Sequence, residues 1–192
     1  LKAAGLVYPC FCTRREIAAE IAGAGQAPHG PDGPIYPGTC RGIDAATATD
    51  QIAGGAAYAL RLDSAAAIRA TGSLVWQDRT AGAVSAKPQD FGDIVLARKD
   101  APASYHLAVV VDDAATGVTL VTRGEDLMPA TDVQVLLQGL LGLPQPAYAH
   151  HRLVLGPDGK RLAKRDRAET IAAMRANGRT PDAVLQAAGV RG

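Results

Sequence analysis

Gly117-Val118-Thr119-Leu120-Val121-Thr122-Arg123-Gly124 is the stretch on which the fold turns. Its run of β-branched and aliphatic residues predicts a strand over 117–122 that ends at Arg123-Gly124. A helix is predicted over 129–141, with Pro129 near its first turn, Gly142 closing it, and Val133, Leu136, Leu137, Leu140 and Leu141 on its buried face. Residues 148–155 read as another strand. Strand, helix and strand in that order form a crossover unit of the doubly wound α/β kind, in which ligands bind at the carboxyl edge of the sheet. Arg123 stands at that edge. A guanidinium there can hold a carboxylate through two parallel hydrogen bonds, although pairing with Glu125 or Asp126 is its plainer use.

Upstream of this unit, 57–62, 73–78, 82–86 and 93–98 alternate in the manner of short strands and are expected to form one small antiparallel sheet. Residues 104–114 are locally ambiguous, because the valine triplet favours a strand while the segment runs into Asp112-Asp113. Thr13 and Glu16 make a capping box at the head of a helix over 13–23. The first six residues read as the end of a helix closed by Gly5, so further sequence is expected upstream. Downstream, the turn Gly156-Pro157-Asp158-Gly159 leads into a basic stretch. Two helices follow, at about 168–177 and from Pro181 to Ala188, the latter with Thr180 as its N-cap.

The chain has 192 residues, 47% of them apolar and 20% charged, with a net charge of +1. That is enough apolar surface for a packed core, which excludes disorder as a description of the whole. The aliphatic run Leu107 to Val111 falls far short of the ~18–20 residues of a membrane span, so no membrane partner is expected. The near-neutral balance neither requires nor forbids a nucleic-acid partner, since local patches do the binding. Three cysteines and no recognisable leader point to reduced thiols in the cytoplasm.

Those cysteines are grouped. Cys10 and Cys12 are two residues apart, and Cys40 follows 28 residues later. Between them lies a Gly- and Pro-containing stretch, 24–43, with almost no aliphatic residues to anchor it. Three thiolates would fill three of the four tetrahedral positions of zinc and clip that loop. His29 and Tyr36 both stand as candidates for the fourth. A second group is Gly159-Lys160-Arg161-Leu162-Ala163-Lys164-Arg165-Asp166, a cationic loop able to close over a polyphosphate, although such runs are commonly solvated turns. Tyr105 adds a hydroxyl, or else packs at a domain seam.

Taken in order, Tyr8-Pro9-Cys10-Phe11-Cys12-Thr13-Arg14, Gly33-Pro34-Ile35-Tyr36-Pro37-Gly38-Thr39-Cys40-Arg41, Ser104-Tyr105-His106-Leu107, Val111-Asp112-Asp113, Thr122-Arg123-Gly124-Glu125-Asp126-Leu127 and Arg161-Leu162-Ala163-Lys164-Arg165 resemble the class I glutamyl-tRNA synthetase family. Within it they are most similar to the branch that acts on the queuosine base of tRNA(Asp). The resemblance implies ATP-dependent activation of L-glutamate, with Mg2+, to glutamyl-adenylate, followed by transfer to that base. It implies a Zn2+ site of Cys10, Cys12, Tyr36 and Cys40, which selects Tyr36 over His29. It also implies glutamate binding by Tyr105 and Arg123, and a KMSKS-type loop in which Lys164 is catalytic and Lys164 with Arg161 binds ATP. Residues 104–114 become helical on this view, and a monomer is expected.

The implied fold is α/β. Residues 1–102 would be a zinc-containing α+β insertion, with 1–8 the tail of a first Rossmann half. Residues 103–150 would be the second half of the Rossmann-type catalytic domain, and 151–192 a small helical subdomain bearing the KMSKS-type loop. Two departures stand out. Ala163 and Arg161 replace the common Ser and Lys of the loop, which is expected to tune ATP binding without abolishing it. No stretch of the 192 residues matches the family's HIGH-type signature, so the chain alone is expected to be inactive and to expose an apolar sheet face. A fragment of an enzyme charging tRNA(Glu), or a non-catalytic zinc RNA-binding module, are the competing readings. The 27 residues after Arg165 and the Tyr36 to Cys40 pair favour the queuosine branch over the former.

Overall fold

A computed structural model describes residues 1–23, 28–156 and 169–190. In chain order the elements are β1 (Val7–Cys10), α1 (Arg14–Gly23), β2 (His29–Gly30), β3 (Gly33–Pro34), α2 (Ala45–Ala53), β4 (Ala59–Leu62) and α3 (Ser64–Thr71). There follow β5 (Val75–Asp78), β6 (Gly82–Ser85), β7 (Val95–Arg98), α4 (Tyr105–Thr116), β8 (Leu120–Gly124), α5 (Ala130–Leu141), β9 (Ala147–His151), α6 (Ile171–Ala176) and α7 (Pro181–Ala187). Two compact units result. One holds 1–123 and 127–150, the other 124–126 and 151–192. Among the described residues no helix is long and apolar enough to cross a membrane.

The α/β class is as expected, but the upstream strands do not form one sheet. β4 lies at the centre of a three-stranded sheet, antiparallel to β1 and β7, with a register shift between Leu60 and Arg61. β5 and β6 belong to a second sheet of order β6-β5-β9-β8. There β5 runs antiparallel to β6 and parallel to β9, with Asp78 opposite Tyr148. Helix α3 intervenes between β4 and β5, so the two strands are separated and not joined by a turn. It is a short alanine-rich helix whose N-cap, Asp63, accepts from the Ala66 N–H at 2.9 Å. Helix α2, likewise unanticipated, is capped by Asp44.

Local chemistry explains the remaining elements. The Thr13–Glu16 capping box forms reciprocally: the Thr13 N–H donates to Glu16 Oε2 at 2.7 Å, and the Glu16 N–H to Thr13 Oγ1 at 3.2 Å. Residues 104–114 resolve as α4, because Ser104 caps it and Gly117, at φ +70°, ends it in the left-handed conformation that L side chains resist. Within 24–43, β2 and β3 make a minimal hairpin, with Gly30 opposite Gly33. A Cβ on Gly30 would run into the Asp90 carbonyl oxygen.

α5 organises the larger unit. Apart from the half-buried Asp132 it is buried from Ala130 to Gln138, because it is packed on two sides. Val133, Leu136 and Leu137 join Leu62, Ala67, Leu96 and Val110 in the main core. Val135 packs with Trp76 and Tyr148 against the second sheet. On that sheet Trp76, Asp78, Tyr148, His150 and Arg123 are buried on the α5 side. The alternating positions Val75, Gln77, Ala147, Ala149, Leu120 and Thr122 are less covered.

In the smaller unit α6 is capped by Thr170, and α7 by Thr180 with Pro181 in its first turn. Arg152 ties the unit's two ends by donating from Nη2 to the Gly189 carbonyl at 3.0 Å.

Candidate functional site

The three cysteines converge. Cys10 ends β1, Cys12 precedes α1, and Cys40 lies in the turn after β3, yet their sulfurs all fall within 4.8 Å of one another. Cys12 Sγ and Cys40 Sγ are 3.3 Å apart and unbonded. Tyr36 is buried beside them, its hydroxyl 3.4 Å from Cys10 Sγ and 3.6 Å from Cys12 Sγ. The Cys40 N–H donates to the same oxygen at 2.9 Å. His29 is exposed on β2 and does not join the cluster. Sulfurs all within 4.8 Å of one another are close enough to share one tetrahedral ion, whose edge is roughly 3.8 Å for Zn–S bonds of about 2.3 Å. The donor set therefore fits a metal ion such as zinc.

The electrostatics point the same way. Burial, with the neighbouring sulfurs, pushes the Cys12 thiol up to about 11, against a lowering hydrogen bond with Tyr36. Burial and contacts with the cysteines also push the Tyr36 phenol up. Burial acts upward on Cys40 too, but hydrogen bonds from Tyr36, Cys12 and the Phe11 and Cys12 N–H groups outweigh it and lower that thiol. So many acidic groups in one buried cluster cannot ionise together without a cation among them.

Asp93, 2% exposed, holds this region to the fold. Its Oδ2 accepts from Tyr8 Oη at 2.5 Å and from Arg41 Nε and Nη2 at 2.8 and 2.7 Å, while its Oδ1 accepts from the Ser64 N–H at 3.1 Å. Burial and Asp93 raise the Tyr8 phenol above its usual range. Arg61 donates to the Asp93 carbonyl at 2.7 Å and lays its guanidinium over the Tyr36 ring, 3.9 Å from the centroid. Tyr8 and Arg41 fall inside the two motif stretches around the cysteines without a role of their own being assigned, and neither Arg61 nor Asp93 stands out in the sequence.

A second constellation sits at the carboxyl ends of β5, β9 and β8. Arg123 is 9% exposed. Its Nε donates to His150 Nε2 at 3.1 Å, its Nη2 to Thr131 Oγ1 at 2.5 Å, and its guanidinium lies 5.5 Å from the Tyr148 ring centroid. Within its own unit, no described carboxylate lies at ion-pair distance from Arg123. Instead His150 Nδ1 meets Asp78 Oδ2 at 2.7 Å. Asp78 in turn accepts from the Thr80 and Ala81 N–H groups at 2.8 and 2.9 Å. Trp76, Tyr148 and His150 pack ring against ring over this network.

Tyr105 lies on a different element. It is 56% exposed at the head of α4 and lines a cavity of about 250 Å³ with Val95, Ala97 and Arg98. Its ring neighbour is His106, whereas the partners of Arg123 are His150, Thr131 and the Tyr148 ring. Arg161 and Lys164 lie outside the described residues.

Residues 1–192 match the family "tRNA synthetases class I (E and Q), catalytic domain". The chain is 50% identical over 187 residues to a glutamyl-Q tRNA(Asp) synthetase of Nocardia farcinica, covering 96% of this chain and 55% of that protein. It is 48% identical over 183 residues to the one of Rhodobacter capsulatus, covering 92% and 64%. A glutamate–tRNA ligase of Aquifex aeolicus is 35% identical over 183 residues, covering 94% of this chain and 37% of that protein. The crystal structure of a glutamate tRNA ligase from Elizabethkingia meningosepticum, in complex with its amino acid, superposes with a TM-score of 0.64 at 27% identity, over 84% of this chain and 32% of that one. The chain thus spans about half to two thirds of the length of these glutamyl-Q relatives.

Proposed function

The chain belongs to the class I tRNA synthetase catalytic-domain family of the glutamate and glutamine enzymes, and from that premise we propose that it serves to activate L-glutamate with ATP and to pass it to the queuosine base of tRNA(Asp). The observation that carries the reading is Arg123: a buried cation at a strand's carboxyl end, unpaired with any described carboxylate of its own unit. A bound glutamate supplies one. Its α-carboxylate must stay free to attack the α-phosphorus of ATP, so the guanidinium takes the side-chain carboxylate. The attack forms the mixed anhydride and expels pyrophosphate. The acceptor then attacks the acyl carbon and expels AMP. Tyr105 contributes a hydroxyl to the amino acid. Lys164, with Arg161, neutralises phosphate charge, with Mg2+ on the nucleotide.

Cys10, Cys12, Tyr36 and Cys40 would hold Zn2+, which supplies structural cross-linking and no step of the reaction. We assign 1–102 to the insertion that this metal clips, 103–150 to the second Rossmann half and 151–192 to the phosphate-loop subdomain, in a cytoplasmic monomer. Similarity supports tRNA(Asp) over tRNA(Glu), because the glutamyl-Q relatives quoted are nearer in sequence than the glutamate–tRNA ligase.

The test is glutamate-dependent exchange of pyrophosphate into ATP by the protein that the complete gene encodes, followed by acylation of queuosine-bearing tRNA(Asp) and of tRNA(Glu). Exchange with labelling of tRNA(Asp) alone is expected. Labelling of tRNA(Glu) transfers the chain to the ordinary ligases, and salt-sensitive RNA binding without exchange makes it a binding module. The 192 residues by themselves, without a HIGH-type signature, are expected to show no exchange.

A further inference from the structure

Arg123 is held by a chain of groups that the reaction scheme above leaves unused. Asp78 is an acceptor-only carboxylate, and His150 Nδ1 stands 2.7 Å from its Oδ2. The ring proton must therefore be on Nδ1. Arg123 Nε is always a donor, so His150 Nε2, 3.1 Å away, must be a lone pair. Both conditions are met by one species, the neutral Nδ1–H tautomer. Thr131 Oγ1 fits the same arrangement, accepting from Arg123 Nη2 and lying 3.4 Å from His150 Nε2. The side chains of His150 and Asp78 are 3% and 1% exposed, so water does not substitute for either.

We infer that His150, with its tautomer fixed by Asp78, is a positioning residue that fixes the Arg123 guanidinium for glutamate. This rests on the reading of Arg123 as the anchor of the substrate carboxylate. His150 takes the Nε–H and Thr131 one Nη2–H. The two Nη1 hydrogens and the second Nη2 hydrogen remain, and the terminal pair of nitrogens is the edge that binds a carboxylate in two parallel hydrogen bonds. A guanidinium gripped along one side can offer only that end. Asp78 lies 72 residues from His150, so glutamate recognition depends on a strand far from it in sequence.

The test is Asp78→Asn in the protein that the complete gene encodes. Asn keeps an oxygen for the Thr80 and Ala81 N–H groups but presents an NH2 to His150. The ring then moves its proton to Nε2, donor against donor with Arg123. The expected result is a KM for glutamate raised about tenfold or more in pyrophosphate exchange, with the KM for ATP within about twofold of the parent. A merely structural role would lower the active fraction and leave both KM values alone. His150→Gln, whose amide oxygen can accept from Arg123 Nε, is expected to retain tighter glutamate binding than His150→Ala.

Ring-nitrogen NMR of the parent gives a readout independent of activity: the Nδ1–H form of His150 is expected, and the Nε2–H form overturns the inference. So does a glutamate KM unchanged in both Asp78→Asn and His150→Ala while exchange persists, a result that leaves the proposed function standing. Absence of glutamate-dependent exchange in the parent removes the proposed function and this inference with it.

Discussion

The carboxylate of Asp78 and the imidazole of His150 lie 2.7 Å apart in a site that excludes solvent from both. Burial alone would raise the Asp78 pKa. The Ala81 N–H, the His150 ring, the Thr80 N–H and the His150 N–H together outweigh it and hold the group at about 2. Because the folded value lies below the unfolded one of about 4, this carboxylate contributes stability that is fully present above pH 4 and is lost as the pH falls through 2. The contribution is about 2 kcal/mol. Urea melts from pH 7 to pH 2 are expected to show Asp78→Asn less stable than the parent at neutral pH, by an amount that shrinks below pH 4. A constant difference would mean that Asp78 does not titrate with folding.

Arg123→Ala is expected to reduce glutamate-dependent exchange by about 10²–10³ or more, since it removes the charge that meets the substrate carboxylate. Zinc content should stay at the parental level, because Arg123 shares no partner with the cysteine cluster. Exchange assays beside metal analysis check both halves. Equal loss of metal would mean that the two sites are one structural unit.

Chelation is expected to loosen 8–42 and largely to spare 117–150. Hydrogen exchange before and after chelator reads this residue by residue. Tyr36→Phe keeps the three thiolates and removes the oxygen they surround, so metal affinity is expected to fall by about 10–100-fold with the fold retained. Affinity equal to the parent's would exclude the phenol as a ligand.

Asp93→Ala strands the Tyr8 hydroxyl, the Ser64 N–H and the Arg41 guanidinium together. Leaving buried donors unpaired costs ~1–3 kcal/mol each, but Arg41 is 44% exposed and water takes over part of its pairing. A net loss of about 2–4 kcal/mol is expected in chemical denaturation, against about 1 kcal/mol for Tyr8→Phe. A difference below 1 kcal/mol for Asp93→Ala would show that the region is held by its other contacts.

What was legible in the sequence was local or carried by rare residue types. The Thr13–Glu16 box, the α5 stripe and Gly142 announce themselves within one or two turns of chain. The cysteines stand out because little else explains three thiols around a loop without aliphatic anchors. Helices α2 and α3 were illegible because alanine-rich segments lack a strong apolar stripe, although Asp44 and Asp63 were caps in plain view. The division of β4, β5, β6 and β7 between two sheets was illegible for another reason. Alternation tells which residues face inward but not which strand lies alongside, and β5 finds its parallel partner at Tyr148, 70 residues on. The same limit hid Asp78 and Thr131 as companions of Arg123. Nothing in the periodicity of either segment refers to the other.

The Asp93 hub bears on how this chain can vary. It binds Tyr8 and Arg41, which lie just outside Cys10 and Cys40 respectively. The segment joining the cysteines is therefore fastened at its base by a carboxylate, and the proposed metal would fasten it there a second time. For a segment tied off in that way, doubling its length adds only about 0.6 kcal/mol of closure entropy. Added length within that segment thus costs little closure entropy, so the segment can change in length while the knot beneath it keeps its form.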